Sequence, residues 1–165
     1  MVEERDGWFV VNVRDASWYG SSAFGKMCRF EKPDEPFPQI GFHIFVLEPG
    51  KPNCRYHREN AQEDLLVLCG HCRLLVNGEQ RLLEAWDFVH FPPGTTHVCV
   101  GEGDDPCAVL IVGHREPGGV DLFYPASDLA RRFGAEAPEP TAEPKVAYSD
   151  VRRREPVESP GWPLI

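Results

Sequence analysis

The sequence predicts an all-β protein whose short, mostly antiparallel strands form a sandwich or a barrel. Sixteen prolines and fifteen glycines divide the 165 residues into short apolar runs, a spacing that is typical of β-sheet domains. The segments between these runs are too short for crossover helices, so neighbouring strands should run antiparallel. The length and the 42% apolar content are those of one domain.

Ten segments have the length and the apolar content of strands. Asn77-Gly78 lies between two of them and is the strongest hairpin signal in the chain, because this dipeptide favours a tight two-residue turn. A second polar turn, residues 102–106, precedes the last long apolar run. The predicted strands are Trp8–Val13, Lys26–Phe30, Gly41–Glu48, Asp64–Leu68, Arg73–Val76, Glu79–Leu83, Asp87–Phe91, His97–Val100, Ala108–Gly113 and Val120–Tyr124.

One short helix is predicted after the last of these strands. Ser127 is suited to cap its first turn, and Gly134 is suited to end it. Leu129 and Phe133 are four residues apart, so they would lie on one face of the helix. The sequence therefore predicts a helix between residues 127 and 134.

The segment after Gly134 is rich in proline and charge and is not expected to fold by itself. It contains Tyr148 and Trp162, which are unusual in disordered tails. It is either an arm, laid across the barrel or across a neighbouring subunit, or a frayed tail. The basic run Arg152–Arg154 could bind an anion or a partner subunit, but a solvated stretch is the more common case.

The charge balance narrows the class of partner. The chain has 17 basic and 26 acidic residues and a formal net charge of −9, which argues against a nucleic-acid or an anionic-membrane surface. A small molecule or another protein is the expected partner. No apolar run is long enough to span a membrane, and the acidic N-terminus lacks the pattern of a secretory signal, so we expect a cytoplasmic protein.

The six cysteines are expected to be buried free thiols, because nothing in the sequence points to an oxidising compartment. Cys69 and Cys72 have C-x-x-C spacing. A zinc knuckle would need a second pair, and a redox motif should open a helix, whereas this pair lies between two strand-like runs. The spacing is therefore a weak signal.

Four residues of metal-ligand type lie in two clusters within the segment from Gly50 to Gly101. His57 and Glu59 are two apart on a strand and so point to the same face, and Glu63 keeps that parity. His97 follows the rigid turn Pro92-Pro93-Gly94. Histidines with carboxylates suit Mn, Fe, Ni, Co or Zn, and two histidines with one carboxylate form the facial-triad pattern of non-haem iron enzymes.

These two clusters resemble the two sequence motifs of the cupins, over roughly residues 41–114. His57-x-Glu59-x3-Glu63-x6-Gly70 follows the spacing of G-x5-H-x-H-x3,4-E-x6-G. Pro92-x-Gly94-x2-His97 matches the centre of G-x5-P-x-G-x2-H-x3-N. The resemblance implies a jelly-roll β-barrel with metal ligands at His57, Glu63 and His97.

The chain departs from the cupin pattern in several places. Glu59 replaces the second histidine of the first motif, so its role as a ligand is less secure than that of the other three. Trp86 and Gly101 stand where the second motif begins with glycine and ends with asparagine, and Gly50 is one residue too early. An additional carboxylate makes the predicted site harder and more anionic, which favours Mn or Fe.

Several nearby residues have two interpretations. Cys99 is two residues beyond His97 and is either a fifth ligand or a buried apolar thiol, the second being the more common case. Arg55, Tyr56 and Arg73 are candidates for substrate recognition or for ordinary ion pairs and solvated positions.

The sequence thus divides into an N-terminal extension (residues 1–40), a cupin-like barrel (41–124) and a short helix with a C-terminal arm (125–165). We expect a metal-binding protein that acts on a small molecule, as a dioxygenase or isomerase with Glu59 as a ligand or general base. The alternative is a non-catalytic module that binds or senses a small ligand. The two extensions favour a homodimer.

Overall fold

The barrel is built from fourteen strands, two α-helices and one 3₁₀ helix within residues 3–5, 7–32 and 34–161, the part of the chain that the computed structural model describes. The 3₁₀ helix is Val13–Asp15, and the α-helices are α1 (Asp128–Arg132) and α2 (Pro144–Ala147). The strands are β1 (Glu3–Arg5), β2 (Trp8–Val10), β3 (Ser17–Gly20), β4 (Lys26–Arg29), β5 (Ile40–Leu47), β6 (Arg58–Glu59), β7 (Glu63–Cys69), β8 (His71–Val76), β9 (Glu79–Glu84), β10 (Phe88–Phe91), β11 (His97–Glu102), β12 (Cys107–His114), β13 (Leu122–Phe123) and β14 (Glu155–Val157).

Two sheets form the walls of the barrel. The larger has seven strands in the order β10-β7-β12-β5-β4-β3-β14, and the smaller has three in the order β11-β8-β9. All pairs of named strands are antiparallel. Two-stranded sheets join β1 to β2 and β13 to β6. The predicted all-β, jelly-roll architecture is confirmed.

Most predicted strands are present, with ends shifted by a residue or two. The hairpin at Asn77-Gly78 is confirmed, because both residues have positive φ angles, of 47° and 83°. The predicted strand Trp8–Val13 is wrong beyond Val10, because the Asn12 side chain accepts a hydrogen bond from the Arg14 N–H and starts the 3₁₀ helix. Strands β1, β3, β6 and β14 were not predicted, and each has only two to four residues.

The predicted helix is confirmed as α1. Its first turn is capped by the Ser127 hydroxyl, which accepts a hydrogen bond from the Ala130 N–H at 3.1 Å. Gly134 follows it with a φ of +67°, as expected of a helix stop. The prediction of one helix is corrected by α2, which begins at Pro144, where proline is favoured in the first helical turn.

The C-terminal segment is an arm on the barrel of its own chain. Its strand β14 pairs with β3 at the edge of the seven-stranded sheet. Arg154, from the predicted basic run, donates to the carbonyls of Gly25 and Asn53 and stacks over the ring of Phe24. This residue is therefore part of the packing of the arm and not a free cation. Trp162 lies outside the described residues.

The barrel interior is apolar over much of its depth. Its buried side chains come from both sheets, and the six cysteines are all free thiols, four of them buried. No helix among the described residues is long and apolar enough to cross a membrane. The members of this interior apolar cluster include Leu47, Leu65, Val67, Leu74, Phe91 and Ile111.

Candidate functional site

His57 and His97 lie directly opposite each other at one end of the barrel. They form an isolated antiparallel bridge, in which the His97 N–H donates to the His57 carbonyl at 2.8 Å and the reverse bond is 3.3 Å. Opposed residues in such a bridge place their side chains on the same face. The two imidazole rings accordingly have centroids 5.3 Å apart.

Both imidazoles are oriented by backbone carbonyls. His57 Nδ1 lies 2.9 Å from the Arg55 carbonyl oxygen, and His97 Nδ1 lies 3.0 Å from that of Thr95. A carbonyl can only accept, so each Nδ1 carries a proton. This fixes the ring orientation and leaves Nε2 as the atom that serves the site, the usual arrangement of metal-binding histidines.

Glu63, the first residue of β7, bonds to His97 and lies near enough to His57 for its charge to act on that ring. Its Oε2 lies 2.7 Å from His97 Nε2, and both side chains are largely buried, with exposures of 18% and 4%. Burial lowers the pKa of His97, but the Glu63 carboxylate outweighs this effect and the pKa is raised. Burial raises the pKa of Glu63, but the His97 hydrogen bond and charge leave it lowered. The pair is therefore a buried ion pair.

His57 has the opposite character. Burial lowers its pKa, and the charge of His97 lowers it further. The site therefore combines one imidazolium, at His97, with one neutral imidazole, at His57.

Glu59 is the second carboxylate of the site. It lies on β6, opposite Leu122 of β13. Burial and the nearby charge of Glu63 raise the pKa of Glu59 to about 7, while His97 acts in the opposite direction. A carboxyl group with such a pKa is suited to exchange protons near neutral pH.

Aromatic rings pack on the outer sides of both histidines. The Phe91 ring stacks on His97 with centroids 3.9 Å apart and an angle of 7°. Tyr124 stacks on His57 at 5.7 Å, and its own neighbour is Tyr148 of the C-terminal arm at 5.9 Å. The Tyr148 hydroxyl accepts from the Arg55 N–H at 3.1 Å. The arm therefore helps to hold the backbone that positions His57.

The donor set suits a divalent transition metal, since two oriented imidazoles and two carboxylates converge at one end of the barrel. In the described residues, however, no three His, Cys, Asp or Glu side chains are arranged to hold a metal ion. His97 Nε2 bonds directly to Glu63 Oε2 and therefore carries a proton in this state. Binding would have to displace that proton, as is usual for histidine ligands. The metal therefore remains a prediction.

Three of the sequence candidates for substrate recognition are engaged elsewhere. Arg55 is buried and donates to the carbonyls of Gly134 and Glu136 and to Asp150, so it fastens the arm. The buried Tyr56 hydroxyl accepts from the Gly78 N–H. Arg73 forms an ion pair with Glu102.

Cys99 is fully buried in the apolar cluster. The neighbouring Cys72 thiol and burial raise the pKa of Cys99 well above the ordinary value. Of its two interpretations, the buried apolar thiol is therefore the one that the surroundings favour.

Sequence reasoning missed two interior residues near the site, Arg29 and His43. They are direct cross-strand partners in β4 and β5. Their neighbours of the same parity, Met27 and Phe45, pack in the interior cluster, so both residues face the barrel interior. The sequence shows that residues of a strand alternate between two faces, but only the register of the sheet decides which face lies inside. His90, in contrast, faces outward and pairs with Asp64.

The chain is thus a double-sheet β-barrel with a site of histidines and carboxylates at one end of its interior. A sequence profile of the cupin domain matches residues 43–113. These residues span β5 to β12 and include all four predicted site residues. The chain therefore contains a cupin domain, as its motifs predicted.

Solved structures with the same fold support this assignment. A sugar phosphate isomerase of the cupin superfamily from Silicibacter pomeroyi is 25% identical, with a TM-score of 0.55, over 62% of this chain and 66% of that one. A polyketide cyclase from Streptomyces resistomycificus is 17% identical, with a TM-score of 0.57, over 67% and 82% of the two chains. A conserved cupin barrel protein from Salinispora arenicola is 20% identical, with a TM-score of 0.50, over 70% and 87%.

The last two likenesses concern the fold alone. The present chain spans just under two thirds of the length of the isomerase. No curated protein matches the sequence. The predicted homodimer and the cytoplasmic location stay predictions.

Proposed function

We propose that this protein is a small metal-dependent enzyme of the isomerase type, which moves a proton within a small carbonyl-containing molecule. The observation that carries the proposal is the pair of opposed histidines, His57 and His97, whose rings are oriented by backbone carbonyls beside Glu63. Such hydrogen bonding from the second ring nitrogen is the usual support of metal-binding histidines.

His57, Glu63 and His97 would hold the metal, which when bound would polarise a carbonyl oxygen. Loading replaces the proton that His97 now shares with Glu63. Glu59 lies beside this group, close enough for its charge to act on that of His97. We assign Glu59 as the proton acceptor and not as a fourth ligand.

In the reaction, the Glu59 carboxylate would take the proton from the carbon next to the carbonyl group and return it to the adjacent carbon. One C–H bond breaks and another forms at the former carbonyl carbon. The hydroxyl proton of the first carbon passes to the former carbonyl oxygen as the C=O bond moves from one carbon to the next, so atoms and electrons balance and no oxidant is needed. Phe91 and Tyr124, which stack on the two histidines, would exclude water from this step. The neutral His57 imidazole would bind the metal through a ring nitrogen without adding a charge to the site.

The likeness to the Silicibacter pomeroyi sugar phosphate isomerase, at 25% identity and a TM-score of 0.55, favours this reaction type over an oxygenase. The substrate would be a small hydroxycarbonyl compound. The single-domain barrel offers such a molecule an interior site lined by polar groups at one end.

The metal is tested by expressing the protein in medium supplemented with Mn and Fe and measuring the bound metal by mass spectrometry. The wild type should retain stoichiometric metal, and His97→Ala should lose it. His71→Ala, at an exposed histidine, is the matched control and should retain it. EDTA should lower the Tm of the wild type and leave that of His97→Ala unchanged. A wild type without metal would contradict the proposal.

Proton transfer is tested by incubating the metal-loaded protein in D2O with a panel of small hydroxycarbonyl compounds and following C–H exchange by NMR. Glu59→Gln should keep its metal and lose exchange by about 10²–10⁴-fold, the usual contribution of a general base. If a compound raises the Tm of the wild type without any exchange, the protein is instead a non-catalytic binding module.

A further inference from the structure

Arg29 and His43 form a second polar group in the barrel interior, next to the proposed metal site. They occupy directly paired positions on β4 and β5, so their side chains lie side by side on the inner face. Glu63 is near enough for its charge to act on His43. Neither Arg29 nor His43 belongs to the group of four residues proposed for metal binding and proton transfer.

Arg29 has no compensating anion in the described part of the chain. Its Nε is buried without a hydrogen-bond partner there, and the contact given for its guanidinium is the face of Tyr19, at 5.7 Å from the ring centroid. Arg29 as a whole is only partly buried, but a buried N–H without a partner is costly and is rare in folded proteins. The arrangement indicates that a ligand supplies the missing acceptor.

The neighbouring arginine provides a contrast. Arg115 donates to the buried carboxylate of Glu31 and to the carbonyl of Phe37. Its charge is therefore balanced within the chain, although it too lies at this end of the sheet, above Gly41. Of these two arginines, Arg29 is the one whose charge is not balanced by a carboxylate of the described residues and is available to pair with a ligand.

His43 complements Arg29 as a neutral donor. No hydrogen bond to its ring is found within the described ranges. Burial lowers the pKa of His43, and the charge of Arg29 lowers it further, while Glu31 and Glu63 act in the opposite direction and Arg115 adds to the lowering. A neutral imidazole can donate one N–H to an oxyanion without the repulsion that two cations would feel.

Gly113 lies on β12, the strand between that of His43 and that of Glu63. Gly113 of β12 lies in register between Gly41 of β5 and Glu63 of β7. A methyl group at Gly113 would lie 3.6 Å from Glu63 Oε1, so the absence of a side chain keeps the approach to that carboxylate clear. At this level of the sheet, no β12 side chain separates the strand of His43 from Glu63.

We propose that Arg29 and His43 bind the anionic group of the substrate, a carboxylate or a phosphate, and so hold its reactive carbons beside Glu63. This inference rests on the proposed function and extends it by naming the class of substrate. A planar guanidinium forms paired hydrogen bonds with either oxyanion, which explains why an arginine stands at this position.

The test uses inorganic phosphate and malonate as probes, each titrated into the metal-loaded protein by calorimetry at constant ionic strength. The wild type should bind at least one of them, and the probe that binds more tightly identifies the anionic group of the substrate. Arg29→Gln should weaken that binding by about 10–100-fold, the range expected for a lost charged hydrogen bond. Arg81→Gln is the matched control, since Arg81 is an exposed arginine paired with Glu79, and it should bind like the wild type.

Two further variants show whether weaker binding by Arg29→Gln comes from a lost contact or from misfolding. His43→Gln keeps a neutral donor near the site, and it should weaken binding less than Arg29→Gln. Arg29→Lys should recover part of the affinity. Equal binding by the wild type and Arg29→Gln, or binding of neither probe by the wild type, overturns the inference.

Metal content measured on the same samples separates this inference from the proposed function. Protein that is loaded with metal but indifferent to both probes would overturn the anion site alone. Protein that lacks metal but binds a probe through Arg29 would overturn the proposed enzyme and retain the anion site.

Discussion

The two ends of the barrel interior differ in chemistry although the same strands line both. On β5, His43 lies at one end and Leu47 at the other, and on β7 the corresponding residues are Glu63 and Val67. Each pair is four residues apart, so its members face the same side of the strand. The change from polar to apolar therefore occurs along each strand and not between strands.

This difference shows which end of the interior is built for a ligand. The apolar end is stabilised by burial alone, which needs no specific partner. The polar end requires a partner for every charge, and the His97–Glu63 and Arg115–Glu31 pairs meet that requirement. Arg29 has no such partner among the residues that the structure describes, which is why this end, and not the other, is expected to bind a molecule.

The largest effect should come from opening a cavity at the apolar end. Leu47 is completely buried, so Leu47→Ala should lower the free energy of unfolding by about 2–5 kcal/mol. Denaturant unfolding followed by fluorescence measures this. Leu82→Ala, at an exposed leucine of β9, is the control and should change stability by less than about 0.5 kcal/mol. Folded Leu47→Ala should still bind metal, and loss of metal would show that the two ends are not independent.

A smaller effect, dependent on pH, should come from the Arg115–Glu31 pair at the polar end. Burial raises the pKa of Glu31, but the hydrogen bonds from Arg115 and from the Phe37 N–H outweigh it, and the pKa is lowered. The resulting stabilisation is present above the pKa of the unfolded chain and is lost as the pH falls through the lower folded value. Glu31→Gln should therefore destabilise the protein by about 1.5–3 kcal/mol at neutral pH.

Unfolding free energies measured at several pH values would check this prediction. The gap between the wild type and Glu31→Gln should be constant at neutral pH and close as the pH falls below the unfolded pKa of the carboxyl group. A gap that persists in acid would mean that the pair contributes through shape and not through charge.

The smallest effect should mark the boundary between the two ends. Cys99 is two residues beyond His97 on β11 but belongs to the apolar cluster. Cys99→Val, which nearly conserves volume, should cost less than about 1.5 kcal/mol and leave metal content unchanged. Loss of metal in this variant would show that Cys99 is a ligand and that the polar end extends two residues further along β11.

Much of the fold could be predicted because it depends on local patterns. The Asn77-Gly78 turn and the Ser127 cap act within a few residues, so both were identifiable from the sequence. Strand β14 was missed because it is stabilised by pairing with β3, more than a hundred residues earlier, and not by its own composition. The C-terminal arm was left undecided for the same reason.

The candidate site was predictable in part. The spacing of His57, Glu59 and Glu63 placed them on one face, and the second motif supplied His97. Nothing in the spacing indicated that His97 would bond to Glu63 through Nε2. Such a contact depends on how two sheets pack, which a linear pattern does not encode.

The sequence by itself determined the class of barrel and the four residues of the candidate site, because strand alternation and motif spacing are properties of the linear chain. Only the tertiary structure decided which histidine is charged, which arginines are balanced and that Arg29 faces His43 inside the barrel. Those properties depend on burial and on strand register, which join residues that are distant in the chain.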